Sequence, residues 1–233
     1  MSSWTAADNR GVRRATFVLF ISLLAVVTSV GFAADEYVVA EVWAELDPIV
    51  ADGSARPLPR EVALDRLLDE VQYVVSGLVY GYRFVYVPGD PSREIAESFE
   101  LEPHASIPRG DPRLTVLQTW IDDDRLVARV GYEVSVVQRG WYEGWHSSAN
   151  ARSTGIGVSS LFLGPTHKTG AVSDGIRAAV REHVRALEFT RPQQVTGAVL
   201  LAAYPKFGIV RGNYQATVDI LLQIDRIDKF ETF

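Results

Sequence analysis

The sequence predicts an α+β domain of antiparallel sheets with helices on one face, and three observations carry that expectation. Apolar residues alternate with polar ones in several separate runs, the period of a half-buried strand. In two other runs they recur three and four residues apart, the spacing of an amphipathic helix. Strand runs follow one another as hairpins instead of alternating strictly with helices, which favours antiparallel pairing over a wound parallel sheet.

Taken in order, Val38, Ala40, Val42, Ala44 and Leu46 alternate with Val39, Glu41, Trp43 and Glu45, and predict a strand over 38–46. Asp52-Gly53-Ser54 and Pro57-Leu58-Pro59 break the pattern, and Pro59 is placed to open a helix. Over 61–76 the stripe Leu64, Leu67, Leu68, Val71, Val74 and Val75 predicts that helix, with Gly77 as its stop. Residues 78–87 read as a strand with Tyr80, Tyr82, Phe84 and Tyr86 on one face. Prolines 88, 91, 103, 108 and 112 make 88–112 an irregular excursion. Residues 114–121 and 126–137 flank Asp122-Asp123-Asp124-Arg125 and read as a hairpin.

Residues 139–157 show no periodicity and read as loop, followed by a short strand at 158–163 closed by Gly164-Pro165. Ser173 is a candidate cap for a helix over 173–189, whose stripe holds Ile176, Ala179, Val180, His183, Val184 and Leu187. Arg191-Pro192 stops it, and 195–204 and 214–224 are strands. Both halves thus read strand, helix, strand, strand, and the order predicts two β-α-β-β units in similar halves, 34–138 and 155–233.

The N-terminus bounds the compartment. Arg10, Arg13 and Arg14 precede a run with no charge from Ala15 to Val30, and Gly31 and Ala33 supply the small residues a signal peptidase reads. The expectation is a signal peptide over 1–33, cut before Ala34, with an uncleaved membrane anchor as the alternative. Either way 34–233 is exported, to the periplasm or tethered to the inner membrane. No cysteine is present, so lipidation at an N-terminal cysteine, disulfides and thiolate metal sites are excluded.

Without residues 1–33 the chain has 20 basic and 28 acidic side chains, so nucleic acid is not an expected partner. Contact with a membrane is expected only through the N-terminal segment, if uncleaved. The Trp-bearing first strand, Ala63, Leu67 and Leu68 in the first helix, and Gly77-Leu78-Val79-Tyr80 after it resemble the small α/β modules of bacterial envelope lipoproteins. They are similar too to the N-terminal part of a flagellar-assembly protein of the Vibrio type. The resemblance spans residues 36–137 and implies a non-catalytic periplasmic assembly or scaffold role; the missing lipobox cysteine departs from the lipoprotein pattern.

Few constellations suggest chemistry. Gly164-Pro165-Thr166-His167-Lys168-Thr169-Gly170 has the look of a phosphate loop, but Lys168 precedes the second glycine and Pro165 removes a donor, so it reads as a connection. His104, His146, His167 and His183 lack ligand spacing; no metal site and no cofactor is expected. Asp122-Asp123-Asp124 reads as a solvated turn. The most unusual stretch is Gly140–His146, where Trp141, Tyr142, Trp145 and His146 either cap the core or form a contact surface for a partner or glycan.

The expectation is a non-enzymatic envelope protein with a scaffold, assembly or partner-binding role, engaging an envelope protein partner through strand edges and Trp141, Tyr142, Trp145 and His146. The alternative is a periplasmic hydrolase or small-ligand-binding domain using Glu94, Glu97, Glu100, Glu102 and His104.

Overall fold

The alternating residues of 37–45 form β1 (Tyr37–Glu45), with Val38, Ala40, Val42 and Ala44 buried on one face. The computed structural model describes residues 37–50, 57–146 and 149–230; the expected cleavage site and the apolar leader lie outside them. β1 pairs antiparallel with β5 (Arg125–Glu133), which pairs with β4 (Leu114–Asp122) around the expected hairpin turn. Asp123 takes the left-handed conformation there, at φ 51°.

The second sheet has the order β3 (Ser98–Pro103), β2 (Tyr82–Val87), β7 (Gln194–Leu201), β9 (Asn213–Asp228), β6 (Ala151–Ser160), with β8 (Lys206–Val210) also on β9. All its pairings are antiparallel, so the α+β architecture is as the sequence predicts. β2 and β3 come from the segment 34–138 and pair with β7 of the later segment inside one sheet. The inner face carries Tyr82, Phe84, Val195, Val199, Leu201, Tyr214, Val218 and Ile220, and the buried stripe of α3 (Lys168–Leu187) belongs to the same core. α1 (Arg60–Val79) contributes Leu67, Val71, Val74 and Val75 to that core, as β1 and β5 do.

Several elements differ from the sequence reading for identifiable reasons. α1 runs through Gly77 to Val79, because Gly77 serves packing: a Cβ there would meet the Tyr82 ring at 2.5 Å. The stop falls at Gly81, whose φ of 75° and close approach to the Val199 carbonyl suit glycine. The excursion 88–112 contains β3, a six-residue strand ending at Pro103 on the sheet edge, where a proline is tolerated.

Residues 139–157 are not loop: they hold most of a further helix, α2 (Val136–Trp145), and the start of β6. Gly155 and Gly157 are there for close approach, since a Cβ on either would lie 2.0 Å from the backbone of Gly175 in α3. α3 begins at Lys168, delivered by a short 3₁₀ turn over Pro165–His167, so Ser173 lies inside the helix instead of capping it. His183 is half-buried, and burial lowers its pKa.

Candidate functional site

α2 starts at a capping box. The Ser135 hydroxyl accepts from the Gln138 amide, and the Gln138 side chain accepts from the Ser135 amide. Gln138 also donates to the hydroxyls of Tyr80 and Tyr132 at 2.6 and 2.9 Å, which ties the start of the helix to the end of α1 and to β5. Two turns on, Trp145 is buried against Leu200 and Leu221, with Tyr142 packed beside it. α2 therefore covers the face opposite to α3, because Leu200 and Leu221 point away from the face of Val199 and Ile220.

The four candidate residues of this stretch divide. Trp145 caps a small core, and Tyr142 is half-buried with its hydroxyl pKa pushed up to about 12, chiefly by burial and partly offset by Arg152. Its ring lies 3.8 Å from that of His146, an exposed residue at the end of the helix whose Nδ1 is 2.9 Å from the Tyr142 carbonyl. Trp141 is 42% exposed and stacks on His104 with centroids 5.1 Å apart. Arg83 Nε donates to His104 Nδ1 at 3.2 Å and holds that stack in place.

Between α2 and the sheet lies a groove with a cavity volume of about 390 Å³, walled by Trp141 and His104, floored by Trp145 and Ala198, and edged by Arg83, Gln223 and Asp225. Gly140 and Gly144, one turn apart, complete the helical wall, and a Cβ on either would meet nothing within 4 Å. A glycine inside a helix costs about 0.5–1 kcal/mol relative to alanine. Neither turn geometry nor crowding accounts for these two; they leave the groove wide.

The carboxylates of the alternative reading do not converge. Glu94, Glu100 and Glu102 are exposed, whereas Glu97 accepts from the Tyr86 hydroxyl at 2.9 Å and faces Arg177 and Arg181. Of that set only His104 reaches the groove.

A second cluster has no local sequence signal. Lys168, the first residue of α3, is 5% exposed; its Nζ lies 2.8 Å from Glu70 Oε2 of α1 and donates to the Trp43 carbonyl of β1 at 2.8 Å. The ammonium sits 3.6 Å from the Trp43 ring centroid and 4.5 Å from that of Phe207. Tyr204 donates to Glu70 Oε1 at 2.9 Å, and Tyr214 of β9 donates to Glu45 Oε2 in a short hydrogen bond. Burial pushes the Lys168 pKa down, with Glu70 and then Glu45 opposing it. Burial, then the carboxylate each one faces, raises the pKa of Tyr214 and Tyr204. A cavity of about 300 Å³ opens beside this cluster.

Among the described residues no three His, Asp or Glu side chains are placed to hold a metal ion, and no helix is long and apolar enough to cross a membrane. A family model of uncharacterised proteins matches residues 28–230. A Treponema pallidum (strain Nichols) protein with the name "Uncharacterized protein" is 23% identical over 197 residues, 82% of this chain and 81% of that protein. Neither carries a link to envelope lipoproteins or flagellar assembly. No solved structure matches. The chain belongs to the family of that model.

Proposed function

For this family member we propose an exported cell-envelope protein without chemistry of its own, which holds an extended segment of a protein partner in the groove between α2 and the six-stranded sheet. The observation that carries the reading is the pair Gly140 and Gly144: two helix positions give up stability, nothing in the packing demands it, and the space they leave is the groove. The groove joins an aromatic floor to polar edges, where Gln223 and Asp225 are exposed at its rim. Such edges suit the amide groups of a peptide, and the tryptophans suit one apolar side chain. The arginine-flanked apolar leader and the resemblance over residues 36–137 support an envelope assembly setting.

The absence of cysteine makes the test clean. A photoactivatable maleimide on Asn150→Cys, at the groove, is expected to crosslink a partner in native envelopes, whereas the same probe on Phe189→Cys, at a fully exposed site elsewhere, is not. Adding Gly140→Leu and Gly144→Leu fills the groove and is expected to abolish the adduct while thermal stability holds or rises. An adduct that survives the filling, or equal yields at both positions, overturns the reading. Mass spectrometry of the native mature N-terminus checks export; Ala34 is the expected first residue.

A further inference from the structure

We propose that the cavity beside the last turns of α3 is a second binding site, for a small organic monocarboxylate carrying an apolar body. It shares no lining residue with the groove under α2, and its volume of about 340 Å³ sits at the small end of ligand pockets. α3 contributes Arg181, Val184 and Arg185, β2 contributes Tyr86, and the loop after α3 supplies Phe189 and Arg191.

Arg181 carries the argument. Its Nε is shut off from solvent without a hydrogen-bond partner, and no hydrogen bond reaches its other nitrogens among the described residues. Its ion pair is loose: Nη1 lies 3.7 Å from Glu97 Oε2, an oxygen that Arg177 approaches more closely, at 3.3 Å. The other Glu97 oxygen accepts from the Tyr86 hydroxyl at 2.9 Å. A sealed cationic N–H left unmet forfeits its hydration, and a loose pair partly open to solvent returns little of that. The packing that seals Nε also holds the guanidinium still, so its terminal N–H groups are preorganised for a further oxyanion.

The charges around the cavity set the charge of the ligand. Arg181, Arg185 and Arg191 line it against Glu97 and Glu188. The ion pairs of these groups bring in Arg93, Arg177 and Lys229 on one side and Asp90, Asp174 and Glu182 on the other, and one cation stays in excess. Lys229 meets Glu188 at 2.8 Å, and Arg93 with Ser92 meets Asp90, so the surplus falls on Arg181. The helix dipole accounts for Arg185, in the last turn of α3, but Arg181 stands a turn further back, out of its reach. One carboxylate neutralises the site and accepts two parallel N–H bonds from the guanidinium fork. A dianion would bring a spare charge against Glu97 and Glu188, and a cation would add to the surplus. Pro88, Val184 and the wholly exposed Phe189 accept the apolar body.

The test titrates the full chain by calorimetry with four probes of similar shape: 3-phenylpropanoate, neutral 3-phenylpropanamide, 3-phenylpropanamidinium and 2-phenylethyl phosphate. The carboxylate is expected to saturate one site at least about tenfold more tightly than the amide, and more tightly than the phosphate, with no binding of the amidinium. Arg181→Met removes the charge and the sealed donor; it is expected to lose about tenfold for the carboxylate and nothing for the amide, while Tm holds or rises. Arg181→Lys keeps a charge beside Glu97 without the planar fork, and is expected to hold Tm and still lose carboxylate affinity. A merely structural partner of Glu97 gives the reverse in Arg181→Met: Tm falls and carboxylate binding is unchanged. Phe189→Ala, at an exposed wall position, is expected to weaken carboxylate and amide alike. Gly140→Leu with Gly144→Leu is expected to leave carboxylate binding unchanged, which separates this site from the groove. Equal affinity for carboxylate and amide, tighter binding of the phosphate, unchanged binding in the Arg181 variants, or no saturable carboxylate binding at millimolar concentration overturns the proposal.

Discussion

Replacing Lys168 with methionine breaks a buried ion pair while keeping most of the side chain's length, and its cost follows from the partners left behind. Both members are nearly water-free, at 5% and 7% exposure, and Nζ lies 2.8 Å from Glu70. Losing the ammonium strands the Glu70 carboxylate with only the Tyr204 hydroxyl, and removes the donor to the Trp43 carbonyl. Breaking such a pair from one side costs about 3–5 kcal/mol. For a chain of this size that is a fall in Tm of roughly 10 °C. Glu70→Gln strands the ammonium instead, at a similar cost.

The pair also predicts a pH dependence. In Glu70→Gln the stranded Lys168, already lowered by burial, falls further, so its penalty shrinks as pH rises towards the unfolded lysine value. The double variant removes both charges and leaves Tyr204 an amide oxygen to donate to. It is expected to cost about 2 kcal/mol or more less than the sum of the singles. Urea unfolding at pH 5.5, 7 and 8.5 measures all four proteins. Additive losses, or single losses under about 1 kcal/mol, refute the claim that Lys168 and Glu70 are interdependent buried charges.

Three further outcomes are expected. Gly157→Ala places a Cβ 2.0 Å from the Gly175 amide and loses about 1–3 kcal/mol or more in denaturant unfolding, whereas Gly140→Ala and Gly144→Ala each gain about 0.5–1 kcal/mol. Ser135→Ala removes the cap of α2 and costs about 1 kcal/mol, visible as faster amide exchange over 136–145. The Asp90 carboxyl is held at about 2, below its ordinary 3.8, by hydrogen bonds from Ser92 and then Arg93. A depressed acid stabilises the fold above its unfolded pKa and loses that contribution as pH falls from about 4 to 2, so Asp90→Asn unfolds in acid with a shallower slope across that window.

What the sequence made legible follows the range of the interactions concerned. β1 and β9 announce themselves because each buries one face, and alternation is a local consequence of that. α2 escaped because Gly140, Gly144 and scattered aromatics hide its period, although Ser135-x-x-Gln138 was a capping box in plain view. Gly155 and Gly157 look like loop residues until α3 is known to press on them, which no local pattern reveals. The Lys168 cluster is further out of reach. Its members lie on five separate elements, and Lys168 read as part of a connection beside Pro165.

The glycines separate what holds the fold from what the proposed partner would use. At Gly155 and Gly157 two backbones meet, and any Cβ must push one of them away, so folding alone accounts for the residue. At Gly140 and Gly144 the same residue faces open space on a helix that alanine would strengthen. A domain of this size holds about 5–15 kcal/mol in all, so two such positions leave roughly a tenth of it unclaimed. Marginal stability tolerates that loss but does not call for it at two positions one turn apart on one wall. The partner proposed for the groove would call for it, and that is why the groove under α2, and not the more deeply buried charges around Lys168, carries the proposed function.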